Sequence, residues 1–231
     1  MTRGILIVGN EAPALTALAA EARGRVAFFA SATLPNRFGG RPVEAPSPDA
    51  RPADGRPADG LLEWNPASAI SARSLVIGAR NRLGKIDEAI LVCSPIAVRR
   101  RADELVPAEI DAVVDDLVKG WFLLTRELAL EFRARGSGTL AFVLSEGGLG
   151  GGKDDAADLV GASVAASFRA LAQGMLSSSF KEPWRSLAFS SEEAGEDASF
   201  AAFVFRILDE GGKRESARWH KFGKGGLFGL R

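Results

Sequence analysis

Continuous apolar runs, each followed by a segment of helical length, recur along this chain and set its fold class. Ile5-Leu6-Ile7-Val8 ends at Gly9. A run that is apolar at every position suits a strand covered on both faces, as in a parallel sheet. Residues 12–23 follow as a helix, with Pro13 at a helix-start position and Gly24 just beyond the end. Residues 25–31 form the next strand, so strand, helix and strand fall within about thirty residues, the length of a βαβ unit. The alternation resumes with strand 61–65, helix 66–83 closed by Gly84, and strand 89–93. A long helix over 108–135 carries Ile110, Val113, Val114, Leu117, Val118, Trp121, Leu124, Leu128 and Phe132 at helical spacing. Strand 139–144, helix 156–176, strand 186–189, helix 198–209 and strand 217–222 complete the series. Strands alternating with helices predict an α/β fold with a parallel sheet and right-handed crossovers.

One stretch breaks the pattern. Residues 41–60 hold five of the 11 prolines and repeat Arg-Pro-Ala-Asp-Gly in tandem. Nothing there packs a core, so an exposed, mobile insertion is expected in a single domain spanning 1–231. With 29 basic and 29 acidic residues, the chain lacks the positive field that nucleic acid requires. One cysteine and one histidine, Cys93 and His220, exclude an internal disulfide and any His- or Cys-rich metal site. No apolar run approaches the ~18–20 residues of a membrane span, and the short apolar run at the N-terminus does not make a signal peptide. A cytoplasmic protein is the expectation.

Several segments together resemble the short-chain dehydrogenase/reductase family. Residues 83–92 are similar to the entry to its fourth strand. Residues 113–126, Val-Val-Asp-Asp-Leu-Val-Lys-Gly-Trp-Phe-Leu-Leu-Thr-Arg, resemble its long helix, and 133–140 run into its fifth strand in the usual register. Gly161-Ala162-Ser163-Val164-Ala165-Ala166 resembles the start of the following helix. The resemblance implies a Rossmann-like doubly wound parallel sheet in three layers, α/β/α, and an NAD(P)-dependent oxidoreductase ancestry.

The family's chemistry does not carry over with the fold. Its catalytic tyrosine, and the lysine four residues later, fall on Val160 and Val164. The chain contains no tyrosine at any position, and valine can neither move a proton nor donate a hydrogen bond. The family's asparagine in the long helix falls on Leu117. Only its serine has a match, at Ser145. The family's phosphate turn carries three glycines that let backbone N–H groups reach a pyrophosphate. Here the turn reads Gly9-Asn10-Glu11-Ala12-Pro13-Ala14-Leu15, with a single glycine. Pro13 removes a donor, Glu11 adds negative charge, and Leu15 places an isobutyl group where the backbone must approach a phosphate. Asn65 stands where the family often has an aspartate near the adenine. The family's long loop over the substrate shrinks to 190–197. The expected cofactor is none.

Other motifs are weaker. Gly147-Gly148-Leu149-Gly150-Gly151-Gly152-Lys153 matches a phosphate-binding loop until Asp154 replaces the serine or threonine that holds magnesium, so the glycines read as a flexible loop. Ser145 with His220 lacks the glycine-flanked elbow of a hydrolase. Cys93 at a strand end reads as a small buried side chain. Adjacent acids such as Asp115-Asp116, Asp154-Asp155 and Glu192-Glu193 read as solvated surface.

The sequence thus points to a non-catalytic binding or assembly subunit on a dehydrogenase fold. A homodimer through helices 108–135 and 156–176 is expected, with Ala165 and Phe168 at its interface. The alternatives are an unorthodox oxidoreductase using Ser145, Lys153 and the glycine-rich loop, or a sensor with a remodelled cleft.

Overall fold

The computed structural model describes residues 3–10, 12–22, 26–32, 61–96, 98, 100–147, 149, 158–210 and 219–223. The insertion at 41–60, Glu11 and residues 150–157 of the glycine-rich segment lie outside them. Seven strands form one parallel sheet: β1 (Gly4–Asn10), β2 (Val26–Ala32), β3 (Leu61–Trp64), β4 (Glu88–Cys93), β5 (Thr139–Ser145), β6 (Arg185–Ser191) and β7 (His220–Phe222). Their order is β3-β2-β1-β4-β5-β6-β7, and every pair is parallel. Helices cover both faces, as the continuous apolar runs require. On one face α1 (Pro13–Glu21) and α6 (Asp197–Glu210) pack against Ile5, Ile7, Ile90 and Val143. On the other, α2 (Ala69–Leu83), α3 (Pro107–Val113), α4 (Gly120–Arg135) and α5 (Leu159–Ser178) enclose Leu6, Val8, Leu91 and Phe142. The result is the doubly wound three-layer sheet that the sequence predicts.

The structure corrects three helix boundaries. Helix 66–83 begins only at Ala69, because Asn65 Oδ1 accepts from Ala67 N–H at 3.0 Å and Ser68 Oγ accepts from Ser71 N–H at 3.2 Å. Those bonds make a turn and then an N-cap. Helix 156–176 is capped by Asp158, and α5 runs on to Ser178. The expected helix 108–135 is interrupted by a π-helical turn, Val114–Lys119. Glu109, Val113, Leu117 and Trp121 are all buried. A stride of four drifts around a 3.6-residue helix, and the wider turn brings it back into line. Gly120 follows the wide turn, and a Cβ there would collide with Pro66; this close approach holds α4 against the start of α2.

The expected apolar stripe therefore splits. Val113, Leu117, Trp121, Leu124, Leu128 and Phe132 enter the core, whereas Ile110, Val114 and Phe122 are about half exposed. Ala165 and Phe168, expected at a dimer interface, are core residues. Phe168 meets Trp121 edge-on at 5.4 Å and Phe142 at 5.7 Å. These rings close the space between α5, α4 and the sheet, and both side chains are buried within the chain itself.

Under the opposite end of the sheet, Asp87 ties three segments together. It accepts from Gly4 N–H at 3.0 Å and pairs with Lys85 at 3.0 Å and Arg135 at 3.1 Å. Arg3 pairs with the buried Glu88 at 2.8 Å.

Candidate functional site: the crevice between β1 and β4

The strand order reverses between β1 and β4, and open α/β sheets bind ligands outside the carboxyl ends of their strands at such a point. β1 ends there with Asn10, which is 2% exposed. Its carboxamide spans the crevice. Nδ2 donates to the Ser94 carbonyl at 2.7 Å, and the Ser94 N–H donates to Oδ1 at 3.1 Å. The β1–β4 ladder ends at Gly9 and Val92, so the Asn10 side chain continues the pairing beyond the last backbone rung. A second tie lies farther along the same loop. Asp158 Oδ1 accepts from Gly161 N–H at 2.8 Å, as the N-cap of α5, and from Val98 N–H at 3.2 Å. The segment after β4 is thus fastened to β1 on one side and to α5 on the other.

Beneath the turn from β1 into α1 the packing is tight around Gly9. A Cβ on Gly9 would lie 3.0 Å from Val92 Cβ and 3.1 Å from Leu15 Cδ1. Leu15 is buried among Ile7, Leu18 and Val92. Its isobutyl group therefore fills the space beneath the turn instead of projecting into the crevice, which corrects the sequence expectation. Pro13 occupies the first helical position, and Ala12 supplies no side-chain cap.

The other positions that the resemblance singles out are packing positions or turn positions. Leu117 and Val164 are buried in the core, and Val160 packs against it. Asn65 caps its own turn. Cys93 is buried at the end of β4; burial pushes its thiol far above the ordinary range, the Glu146 carboxylate adds to the effect, and the Trp121 indole partly offsets it. Such a thiol is a poor nucleophile. Ser145 ends β5 opposite Ser191. β6 lies between the strands carrying Ser145 and His220, and His220 stacks on Phe189 at 5.2 Å, so the structure does not bring that pair together. Next to Ser145, Glu146 forms an ion pair with Arg169. Burial raises the Glu146 carboxyl above its usual range, with Arg169 and Lys221 opposing and Glu192 reinforcing. Arg169 in turn lies over the Trp219 ring, 5.9 Å from its centroid.

A cavity of about 360 Å³ lies between the start of α1, the 94–96 segment, the end of β5 and the 193–197 turn. Ser145, Glu193 and Asp197 line it. Lys153, Gly148 and the acids Asp154 and Asp155 lie outside the described residues. Among the described residues no group of His, Cys, Asp and Glu is arranged to hold a metal ion. One helix, Leu159–Lys181, is long and apolar enough by composition to cross a membrane; the sequence reading, which looked for an uninterrupted apolar run, passes over it. Its buried side packs on the sheet through Val164, Phe168 and Ala172.

Sequence reasoning singled out neither Asn10, Asp158 nor Glu146. Asp158 carries a readable signal, an aspartate immediately before the apolar Leu159-Val160. Asn10 carries only its place at a strand end, because its partner lies 84 residues away.

The chain matches no family model, and no curated protein sequence matches it. Solved structures do. An NADH-dependent reductase of alginate metabolism, A1-R', is 16% identical with a TM-score of 0.69, each chain covered to 97%. A short-chain dehydrogenase from Mycobacterium smegmatis is 13% identical with a TM-score of 0.70, covering 96% of this chain and 92% of its own. One from Rhodopseudomonas palustris is 15% identical with a TM-score of 0.69, covering 96% and 98%. The architecture built here from alternating runs is thus the Rossmann-like fold of the solved short-chain dehydrogenases.

Proposed function

We propose that this chain has given up hydride transfer and serves as a non-catalytic binding or assembly subunit on the dehydrogenase fold. The observation that carries the reading is the Asn10–Ser94 clamp across the crevice. A dinucleotide on this fold lies across that crevice with its pyrophosphate at the start of α1. Here Asn10 ties the end of β1 to the segment after β4, and the helix begins with Pro13. The residues do not fit a dinucleotide. No tyrosine exists to exchange a proton, and Val164 offers no charge to a ribose.

Assembly is supported by apolar surface left over after the core is filled. Val106, Ile110, Val114 and Phe122 are 48–51% exposed. They continue the four-residue stride on the outer side of α3, the π-helical turn and α4. The outer side of α5 presents Ala162, Ser163, Ala166 and Ala170, small enough for close approach. Contiguous apolar surface of this kind marks an interface, and a two-fold contact between copies closes it with the fewest new surfaces. Zero net charge fits a protein without a nucleic-acid partner.

A second reading, an oxidoreductase with a non-standard site around Ser145, has one observation in its favour: Ser145 lines the open cavity. The two are separated by incubating the purified protein with NADH or NADPH and carbonyl substrates. Absence of dinucleotide oxidation above background supports the non-catalytic reading; turnover that Ser145→Ala abolishes supports the oxidoreductase.

A further inference from the structure

We propose that Glu146, Arg169 and Trp219 form an acid-released clasp that holds the edge strand β7 on the sheet. The proposal stands whether or not the crevice takes a dinucleotide. β7 spans three residues and, among the described residues, pairs with β6 alone. Phe222 anchors its far end against Phe200 and Phe203. At its near end Arg169 of α5 lies over the Trp219 indole, 5.9 Å from the ring centroid, a cation on a π face. The same guanidinium pairs with Glu146, just beyond β5. Three segments distant in the chain thus meet through one arginine. The carboxylate end is fixed by backbone. Glu146 N–H donates to the Ser191 carbonyl at 2.8 Å. Gly147 packs so closely on the 193–194 turn that a Cβ there would lie 2.7 Å from the Glu193 carbonyl oxygen.

Four elements bring titratable groups to Glu146. Arg169 faces it from α5, Glu192 from the turn after β6 and Lys221 from β7, and the Cys93 thiol lies buried at the end of β4. The Glu146 side chain is 13% exposed and that of Arg169 46%. The carboxylate is therefore enclosed, whereas the guanidinium has a path to water. Enclosure raises the Glu146 carboxyl, Arg169 and Lys221 oppose it, Glu192 reinforces it, and the balance stays above the ordinary glutamate range. Protonation thus comes at milder acidity than on an open surface, and a neutral carboxyl no longer holds the guanidinium as an ion pair. The folded chain binds this proton more tightly than the unfolded one. Its contribution to stability is present below the unfolded value and lost as pH rises through the higher folded one. Acid therefore loosens the clasp without weakening the whole fold through this residue.

The test follows two signals in the full chain: the indole N–H resonance of Trp219, assigned by its loss in Trp219→Phe, and hydrogen exchange at residues 220–222. The wild-type resonance should move along a titration curve centred above about 4.3, the ordinary glutamate value. In Glu146→Gln that curve should vanish. Near neutral pH the 220–222 amides of Glu146→Gln and of Arg169→Gln should exchange at least about fivefold faster than in wild type, with the β5 amides unchanged. The urea midpoint of Glu146→Gln near neutral pH should equal or exceed that of wild type, so faster exchange there reports local release. A histidine ordinarily changes charge between about pH 5 and 8, and the single one, His220, stacks on Phe189; His220→Asn should leave the titration in place. A curve that persists in Glu146→Gln, a curve that His220→Asn removes, wild-type exchange in either clasp variant, or a lowered midpoint in Glu146→Gln would each overturn the proposal.

Discussion

Asn10 and Ser94 exchange two hydrogen bonds, at 2.7 and 3.1 Å, across the crevice where the strand order of the sheet reverses. The residues are 84 positions apart in the chain, and their pairing joins the two halves of the doubly wound sheet at the place where the fold ordinarily opens for a ligand. A buried carboxamide that satisfies a backbone N–H and a backbone carbonyl together is costly to lose, since both groups would be left unpaired away from water.

Asn10→Ala should therefore lower stability by about 1–3 kcal/mol, read as a shift of the urea midpoint with an unchanged slope. A neutral outcome would mean that water takes over both bonds, and that the clamp contributes little to closure.

Val164 occupies the place where the resemblance puts a ribose-binding lysine, yet it is fully buried between α5 and the sheet. Val164→Lys should cost more than about 2 kcal/mol, because an ammonium would enter an apolar core without a partner. If the variant is as stable as wild type, the side chain has found solvent, and the crevice is more open than described.

The outer and inner faces of the two long helices should separate in sedimentation experiments. Phe168→Ala removes a ring held between Trp121 and Phe142, and should cost about 3–5 kcal/mol in unfolding. Phe122→Asp and Ile110→Asp alter exposed positions and should leave a folded monomer in place of the dimer proposed for the wild type. A wild-type chain that sediments at 24.4 kDa at micromolar concentration would contradict the assembly reading.

Acid stability should depend on Asp87. Burial would raise its carboxyl, but the Gly4 N–H, Lys85 and Arg135 outweigh that and hold it below the ordinary aspartate range. As the pH falls below about 5, the unfolded chain takes up its proton first. The contribution is thus present above the unfolded value and lost as pH falls through the lower folded one. Asp87→Asn should flatten this part of the acid limb of the stability profile. An unchanged slope in urea titrations at successive pH values would assign the limb to other carboxylates.

Strands and helices were legible because their signal is local. The apolar run Ile5–Val8, the Pro13 start and the Gly84 and Gly136 stops each state their role within a few residues. The π-helical turn was not legible, because a four-residue stride of buried side chains looks like ordinary helical spacing until one knows which of Ile110, Val113 and Val114 face the sheet. Phe168, read as a surface residue, lies in the core for the same reason: apolar residues all round a helix do not say which side is inside. The loss of the tyrosine and of the glycines could be read directly. The Asn10–Ser94 pairing could not, since it depends on Asn10 meeting a backbone on the far side of the switch point.

The most direct test of the account is a calorimetric titration of the purified chain with NAD(H) and NADP(H). The proposed loss of the dinucleotide site predicts no binding tighter than ~1 mM and no dinucleotide in protein purified from cells, several kcal/mol short of a micromolar site. A micromolar dissociation constant for either dinucleotide would contradict it.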